Sequence, residues 1–145
     1  MQDYPHRYKA AARGGTAGVI DTSSPGLETI PAMPPPEFDG PGDKWSPETM
    51  LVAAVANCFI LTFRAVARGS QFDWNSVVCE VTGVLDRVDR VTQFTEFYID
   101  ISLRVPSGTD EHKAHRLAEK SEQVCLVTNS LTGRKIVNVA VVHES

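Results

Sequence analysis

A surplus of basic residues is absent from this 145-residue chain: 14 Lys and Arg stand against 18 Asp and Glu, for a formal net charge of −4 at pH 7. Without clustered cations there is no electrostatic footprint for a phosphate backbone, so nucleic acid is not expected as a partner. Also missing is an uninterrupted apolar run of the roughly eighteen residues that a membrane helix needs. The first residues, Met1 to Arg7, carry no apolar stretch of signal-peptide length. A soluble, cytoplasmic protein without membrane contact is the expectation. Cysteine is scarce, with three residues and no C-x-x-C pair, and an odd count argues against a structural disulfide framework. Cys58, Cys79 and Cys125 are each either core filler or chemistry.

What is present fits one domain, residues 1–145, with 42% hydrophobic residues to build a core. Residues 6–30 are broken by Gly14, Gly15, Gly18, Pro25 and Gly26, a pattern of short strands and turns. The stretch PAMPPPEFDGPGDKW (31–45) has too many prolines for regular structure and reads as a loop. Ser46-Pro47-Glu48 then opens a helix, with a hydroxyl cap, proline at the first helical position and an acid in the first turn. That helix is predicted to run from Pro47 to about Ala67. Its apolar residues, among them Met50, Val55, Phe59, Leu61 and Phe63, occupy nearly every side, which predicts a helix surrounded by protein. Residues 76–91 and 93–105 alternate apolar and polar and read as paired strands turning near Asp89 to Gln93. A second helix, about Glu111 to Val124, and a last strand, about Lys135 to Val142, complete an α+β architecture of antiparallel strands packed on a hydrophobic helix. His112 and His115 lack a third ligand at fixed spacing. Gly14-Gly15-x-x-Gly18 precedes no helix and is no dinucleotide fingerprint. Neither a metal nor a cofactor is expected.

Two segments carry a resemblance. WSPETMLVAAVANCF (45–59) resembles the signature of the OsmC/Ohr family, the osmotically inducible and organic hydroperoxide resistance proteins, in which Pro-Glu opens a central helix and a cysteine follows ten residues after the glutamate. VCLVTNSL (124–131) is similar to that family's second motif, usually Cys-Pro-hydrophobic-Ser-Asn. The resemblance implies an OsmC-like fold, an antiparallel sheet packed on a long buried central helix in an intertwined homodimer. It implies a thiol-dependent peroxidase that reduces organic hydroperoxides to alcohols, with Cys58 as the attacking thiolate and Cys125 as the thiol that resolves its sulfenic acid into a disulfide. It also implies a dithiol reductant such as a lipoylated protein, and an apolar pocket suited to alkyl or fatty-acid hydroperoxides. Glu48 matches the family's acid, which pairs there with an arginine. The sequence departs from the family at that arginine, because Thr16 follows Gly14-Gly15. Arg13 is the candidate in its place, ahead of Arg7. A second departure is Leu126, where the family usually has proline. The alternative is an OsmC-like protein without efficient peroxidase activity, which binds a hydrophobic small molecule or senses redox state.

Helix geometry adds its own constraints. Cys58 lies mid-helix, away from the N-terminal dipole, and burial alone raises a thiol pKa, so a cationic group is expected to offset it. Ten residues separate Glu48 from Cys58, about 15 Å of rise along one straight helix. If both serve one site, the acid comes from a second chain, which predicts an obligate homodimer with two interfacial sites. Met50, Phe59 and Phe63 are expected to line the pocket. Cys79, in a strand pattern, is read as packing.

Overall fold

The computed structural model describes all 145 residues, Met1–Ser145, and divides into two units, Met1–Leu51 and Val52–Ser145. In the first unit the glycine and proline punctuation yields three short strands, β1 (Ala11–Arg13), β2 (Ile20–Ser23) and β3 (Ile30–Ala32), paired as an antiparallel meander in that order. The proline loop that follows contains one 3-10 turn, Pro36–Phe38. Its closure needs glycine at residue 40, where a Cβ would overlap the Pro34 carbonyl. The loop is tied back by a Met33 N–H to Trp45 carbonyl bond of 2.9 Å. Ser46 is buried and caps the helix reciprocally: its Oγ accepts from the Thr49 N–H at 3.1 Å, while its own N–H donates to Thr49 Oγ1 at 2.9 Å. This is the capping logic of a helix start, satisfying donors that the helix itself leaves open.

Helix α1 (Pro47–Gly69) continues into the second unit. There β4 (Ser76–Val88) and β5 (Val91–Pro106) form a long antiparallel hairpin. Its two-residue turn, Asp89-Arg90, has both residues left-handed, at φ 50° and 68°, the backbone that matches strand twist in a tight hairpin. Helix α2 (Glu111–Gln123) is capped by Asp110, whose carboxylate accepts from the Lys113 N–H at 3.2 Å. Strand β6 (Arg134–Glu144) then pairs with β5 in parallel, from Glu96↔Arg134 to Pro106↔Glu144. The α+β class and the helix-on-sheet arrangement agree with expectation, but the sheet, in the order β4-β5-β6, is mixed rather than purely antiparallel. The reason lies in the connection: α2 intervenes between β5 and β6, and a crossover of that length permits parallel pairing where a tight turn does not.

The core lies on one face of this sheet. Alternate residues of the central strand, Phe97, Ile99, Ile101, Leu103 and Val105, are buried against Val55, Phe59, Phe63 and Ala67 of α1 and Ala114, Leu117 and Ala118 of α2. The period of two on β5 and of three to four on the helices brings these side chains into one cluster. Phe63 is fully buried, with its ring centroid 5.2 Å from Trp74, 6.1 Å from Phe59 and 6.5 Å from Phe72.

Helix α1 departs from the expectation of burial on every side. Only Val55, Cys58, Phe59, Phe63 and Ala67 are buried, and the opposite stripe, including Asn57, Leu61, Arg64 and Arg68, is exposed, Leu61 at 59%. By length and composition the helix could cross a membrane, with mean hydropathy 1.9, yet its Phe59 and Phe63 face packs on the sheet.

Candidate functional site

Cys58 occupies the margin of the buried face of α1. One turn on, Thr62 Oγ1 lies 3.8 Å from its sulfur, the i, i+4 neighbour that helix periodicity provides. Cys125 comes two residues after α2 ends. The chain there folds into a tight turn: the Cys125 N–H donates to the Glu122 carbonyl at 3.1 Å, and the Cys125 carbonyl accepts from the Asn129 N–H at 3.0 Å and the Thr128 hydroxyl at 3.1 Å. A 3-10 turn, Thr128–Ser130, follows. This geometry brings the fully buried Cys125 side chain to Cys58, near enough that each thiol acts on the other's ionisation. All three cysteines of the chain are free.

The two sulfurs are electrostatically unequal. Burial pushes the Cys58 pKa up, but hydrogen bonds from the Cys125 thiol, the Val127 N–H, the Thr62 hydroxyl and the Leu126 N–H together outweigh it and hold Cys58 below the ordinary thiol value of 9.0. Cys125 moves the other way. Burial raises its pKa, and donating toward Cys58 reinforces that, only partly opposed by the Thr128 N–H and hydroxyl. The proton of the pair therefore stays on Cys125, leaving Cys58 as the more readily formed thiolate. Within the single chain, hydrogen bonds alone lower the Cys58 pKa. Cys79, inward on β4, is pushed up to about 12 by burial, helped by the charges of Cys125 and Asp100.

These shifts make a chemical prediction. At about pH 7, iodoacetamide alkylates Cys58 first and Cys79 last, and the Cys58 rate saturates below pH 9.0, where an unperturbed thiol is half ionised. Mass mapping of partially alkylated protein checks the order; equal labelling at Cys79 would contradict it. For stability the signs oppose. The contribution of Cys58 is present above 9.0 and lost as pH falls through its lowered folded value. That of the neutral Cys79 thiol is present below 9.0 and lost as pH rises toward about 12.

The other expected site residues stand as follows. Glu48, in the first turn of α1, has one carboxylate oxygen, Oε1, buried without a hydrogen-bond partner. Arg13 lies on β1, exposed along its length. The ion pairs of the chain are Lys44 with Asp43, Arg104 with Glu144, and His143 with Glu111, so neither Arg13 nor Glu48 joins one. Phe59 and Phe63 are core residues, not pocket lining: their rings fill the space between helix and sheet, because the face of α1 that carries them is the one turned inward. His112 and His115 belong to no cluster of three ligand-type residues.

Comparison with known proteins now bears on the two-thiol arrangement. The family model described as "OsmC-like protein" matches residues 40–140, which hold both cysteines and Glu48. The chain belongs to the OsmC/Ohr family. Among similar proteins, the uncharacterized protein YmaD of Bacillus subtilis is 27% identical over 136 residues, 92% of this chain and 90% of that protein. An organic hydroperoxide resistance protein of Xanthomonas axonopodis pv. citri is 27% identical over 124 residues, 86% of this chain and 85% of that one. In structure, an OsmC-like protein of unknown function from Vibrio cholerae superposes with a TM-score of 0.84 at 16% identity, covering 94% of this chain and all of the other.

The structure brings together the two cysteines that the motifs singled out, and sequence reasoning missed the groups that act on them. Thr62 had a signal, a hydroxyl four residues beyond Cys58. The Leu126 and Val127 amides had none, since main-chain groups carry no side-chain signature.

Proposed function

We propose that this OsmC/Ohr protein is a redox protein that reduces organic hydroperoxides with its own thiols. One observation carries the reading: the turn after α2 brings the Cys125 thiol close enough to Cys58 for each to act on the other's ionisation, with the first pKa lowered and the second raised. That asymmetry suits a nucleophile and a resolving thiol. The Cys58 thiolate attacks a peroxide oxygen, the S–O bond forms as the O–O bond breaks, and the alkoxide leaves and takes a proton to become an alcohol. Cys125 then attacks the sulfenic acid, forming the S–S bond and releasing water. Two electrons pass from the two thiols to the peroxide, and a dithiol reductant, of which a lipoylated protein is one form, restores them.

Around this pair the reading adds a homodimer. The incompletely buried apolar residues of α1, Met50, Leu51, Val52 and Ile60, with Leu61 at 59% exposure, leave helix surface for a second copy to cover. Ten residues of helix rise put Glu48 out of reach of the Cys58 on its own α1, so the second copy's Glu48 would serve it. The unpartnered Glu48 Oε1 suits an acid awaiting a cation, for which Arg13 is the candidate. Sedimentation at micromolar concentration should find a dimer, and a monomer would remove this part. Cytoplasmic location accords with free thiols in place of a disulfide framework.

The rival reading, an OsmC-like protein that binds a hydrophobic small molecule or senses redox state, draws on the absence of an ion pair at Glu48. Non-reducing peptide mapping after one equivalent of cumene hydroperoxide separates the two. The peroxidase reading predicts a Cys58–Cys125 disulfide with Cys79 free; slow oxidation spread over all three cysteines would support the rival.

A further inference from the structure

The loop that leads into α1 encloses a cavity that the thiol chemistry does not use. It measures about 440 Å³ and is lined by Pro31, Gly42, Asp43, Lys44, Trp45 and Thr49. Trp45 and Pro31 supply apolar rings to the lining, and Trp45 is 51% exposed. Asp43 and Lys44 form an ion pair at 3.4 Å, so the charged part of the lining carries no net charge. Gly42, left-handed at φ 82°, lets the loop turn and adds no side chain to the cavity.

Leaving half of an indole in water forgoes the largest apolar burial that a side chain offers. The main chain that carries it is nevertheless fixed on both sides. The Trp45 carbonyl accepts from the Met33 N–H at 2.9 Å, and the residue bridges Ala32. Its other neighbour, the buried Ser46, is locked into the helix cap with Thr49. The indole therefore projects from an anchored main chain without being covered. An aromatic wall with few polar groups around it is the usual make-up of a small-molecule site.

We propose that this cavity takes the uncharged aryl or alkyl body of an organic hydroperoxide, with Trp45 as the residue that selects it. The inference rests on the homodimeric peroxidase reading above. Trp45 stands three residues before Glu48, across the Ser46–Thr49 cap, so a copy that brings Glu48 to its partner's Cys58 brings Trp45 with it. An indole face favours an apolar body through buried area and stacking, and the balanced Asp43–Lys44 pair gives no advantage to a charged one. Hydrogen peroxide has no body to place there and gains nothing from Trp45. Preference among peroxides thus resides in the loop of one copy, and reactivity in the thiols of the other.

Cumyl alcohol, the product of cumene hydroperoxide reduction, probes the cavity without redox chemistry. The chain has two tryptophans, and Trp74 packs against the core, so Trp45 is the one that a ligand reaches. Wild-type tryptophan fluorescence is expected to change saturably with cumyl alcohol, and Trp45→Phe is expected to lose that response. No saturable response in wild type, or one that survives in Trp45→Phe, would overturn the proposal. In kinetics, Trp45→Ala is expected to lower the ratio of cumene hydroperoxide to hydrogen peroxide consumption by about tenfold, mainly through KM, with Trp45→Phe restoring most of it. A ratio unchanged in Trp45→Ala would overturn it as well. The two readings fail separately. A saturable response in a protein that consumes neither peroxide would sink the peroxidase reading and support the cavity as a binding site. Rapid consumption with an unchanged ratio would sink this proposal alone.

Discussion

Cys58→Ser is expected to consume organic hydroperoxide at least about a thousandfold more slowly than wild type, the scale on which loss of a covalent nucleophile is felt. The size of the effect follows from the division of labour between the sulfurs. Cys58 is the one whose pKa is lowered, and its donors surround that sulfur alone. Cys125, with its pKa raised and no solvent exposure, cannot take over the attack on the peroxide. The companion variant Cys125→Ser should behave differently. Its first oxidation should still proceed, because Cys58 keeps the donors from Leu126, Val127 and Thr62, but it should stop at the sulfenic acid, costing one thiol where wild type loses two. Trapping with a sulfenic-acid reagent reads the difference. A Cys58→Ser protein that retains rapid consumption would move the chemistry to another group.

Phe63→Ala should be the most damaging single truncation in the core, lowering stability by about 3–5 kcal/mol. The ring is fully buried and packs on Phe59, Phe72 and Trp74 at once. Its loss therefore opens a cavity where α1 meets the segment that leads into β4, and stacked or edge-on ring contacts add to the area buried. Urea denaturation should show a lower midpoint with an unchanged slope. A loss below about 1 kcal/mol would mean that the helix does not depend on this cluster to stay on the sheet. The variant should also loosen the Cys58 site, since Cys58 and Phe63 are carried by one rigid element.

Much of this was legible in the residues, and the exceptions have physical causes. Ser46-Pro47-Glu48 announced the start of α1 because capping chemistry is local, and Ser46 and Thr49 make the bonds that the pattern calls for. The alternation in 76–106 gave the hairpin for the same reason, with the turn settling on Asp89-Arg90. The direction of β6 was not legible, since period-two patterning is identical in parallel and antiparallel strands. The open side of α1 was missed because hydrophobicity marks what can be buried, not what one chain buries. At the site, Cys58 and Cys125 were singled out by their resemblance to the two OsmC/Ohr motifs, and the main-chain amides that help lower the Cys58 pKa were not, because main-chain groups carry no side-chain signature.

The most direct test of the central claim is stopped-flow oxidation of the fully reduced wild-type protein by cumene hydroperoxide and, separately, by hydrogen peroxide, with free thiols counted afterwards. The account predicts that the organic peroxide reacts faster, by at least about tenfold, and that two of the three thiols are lost. Slow oxidation at similar rates by both oxidants, with no fixed number of thiols consumed, would contradict it.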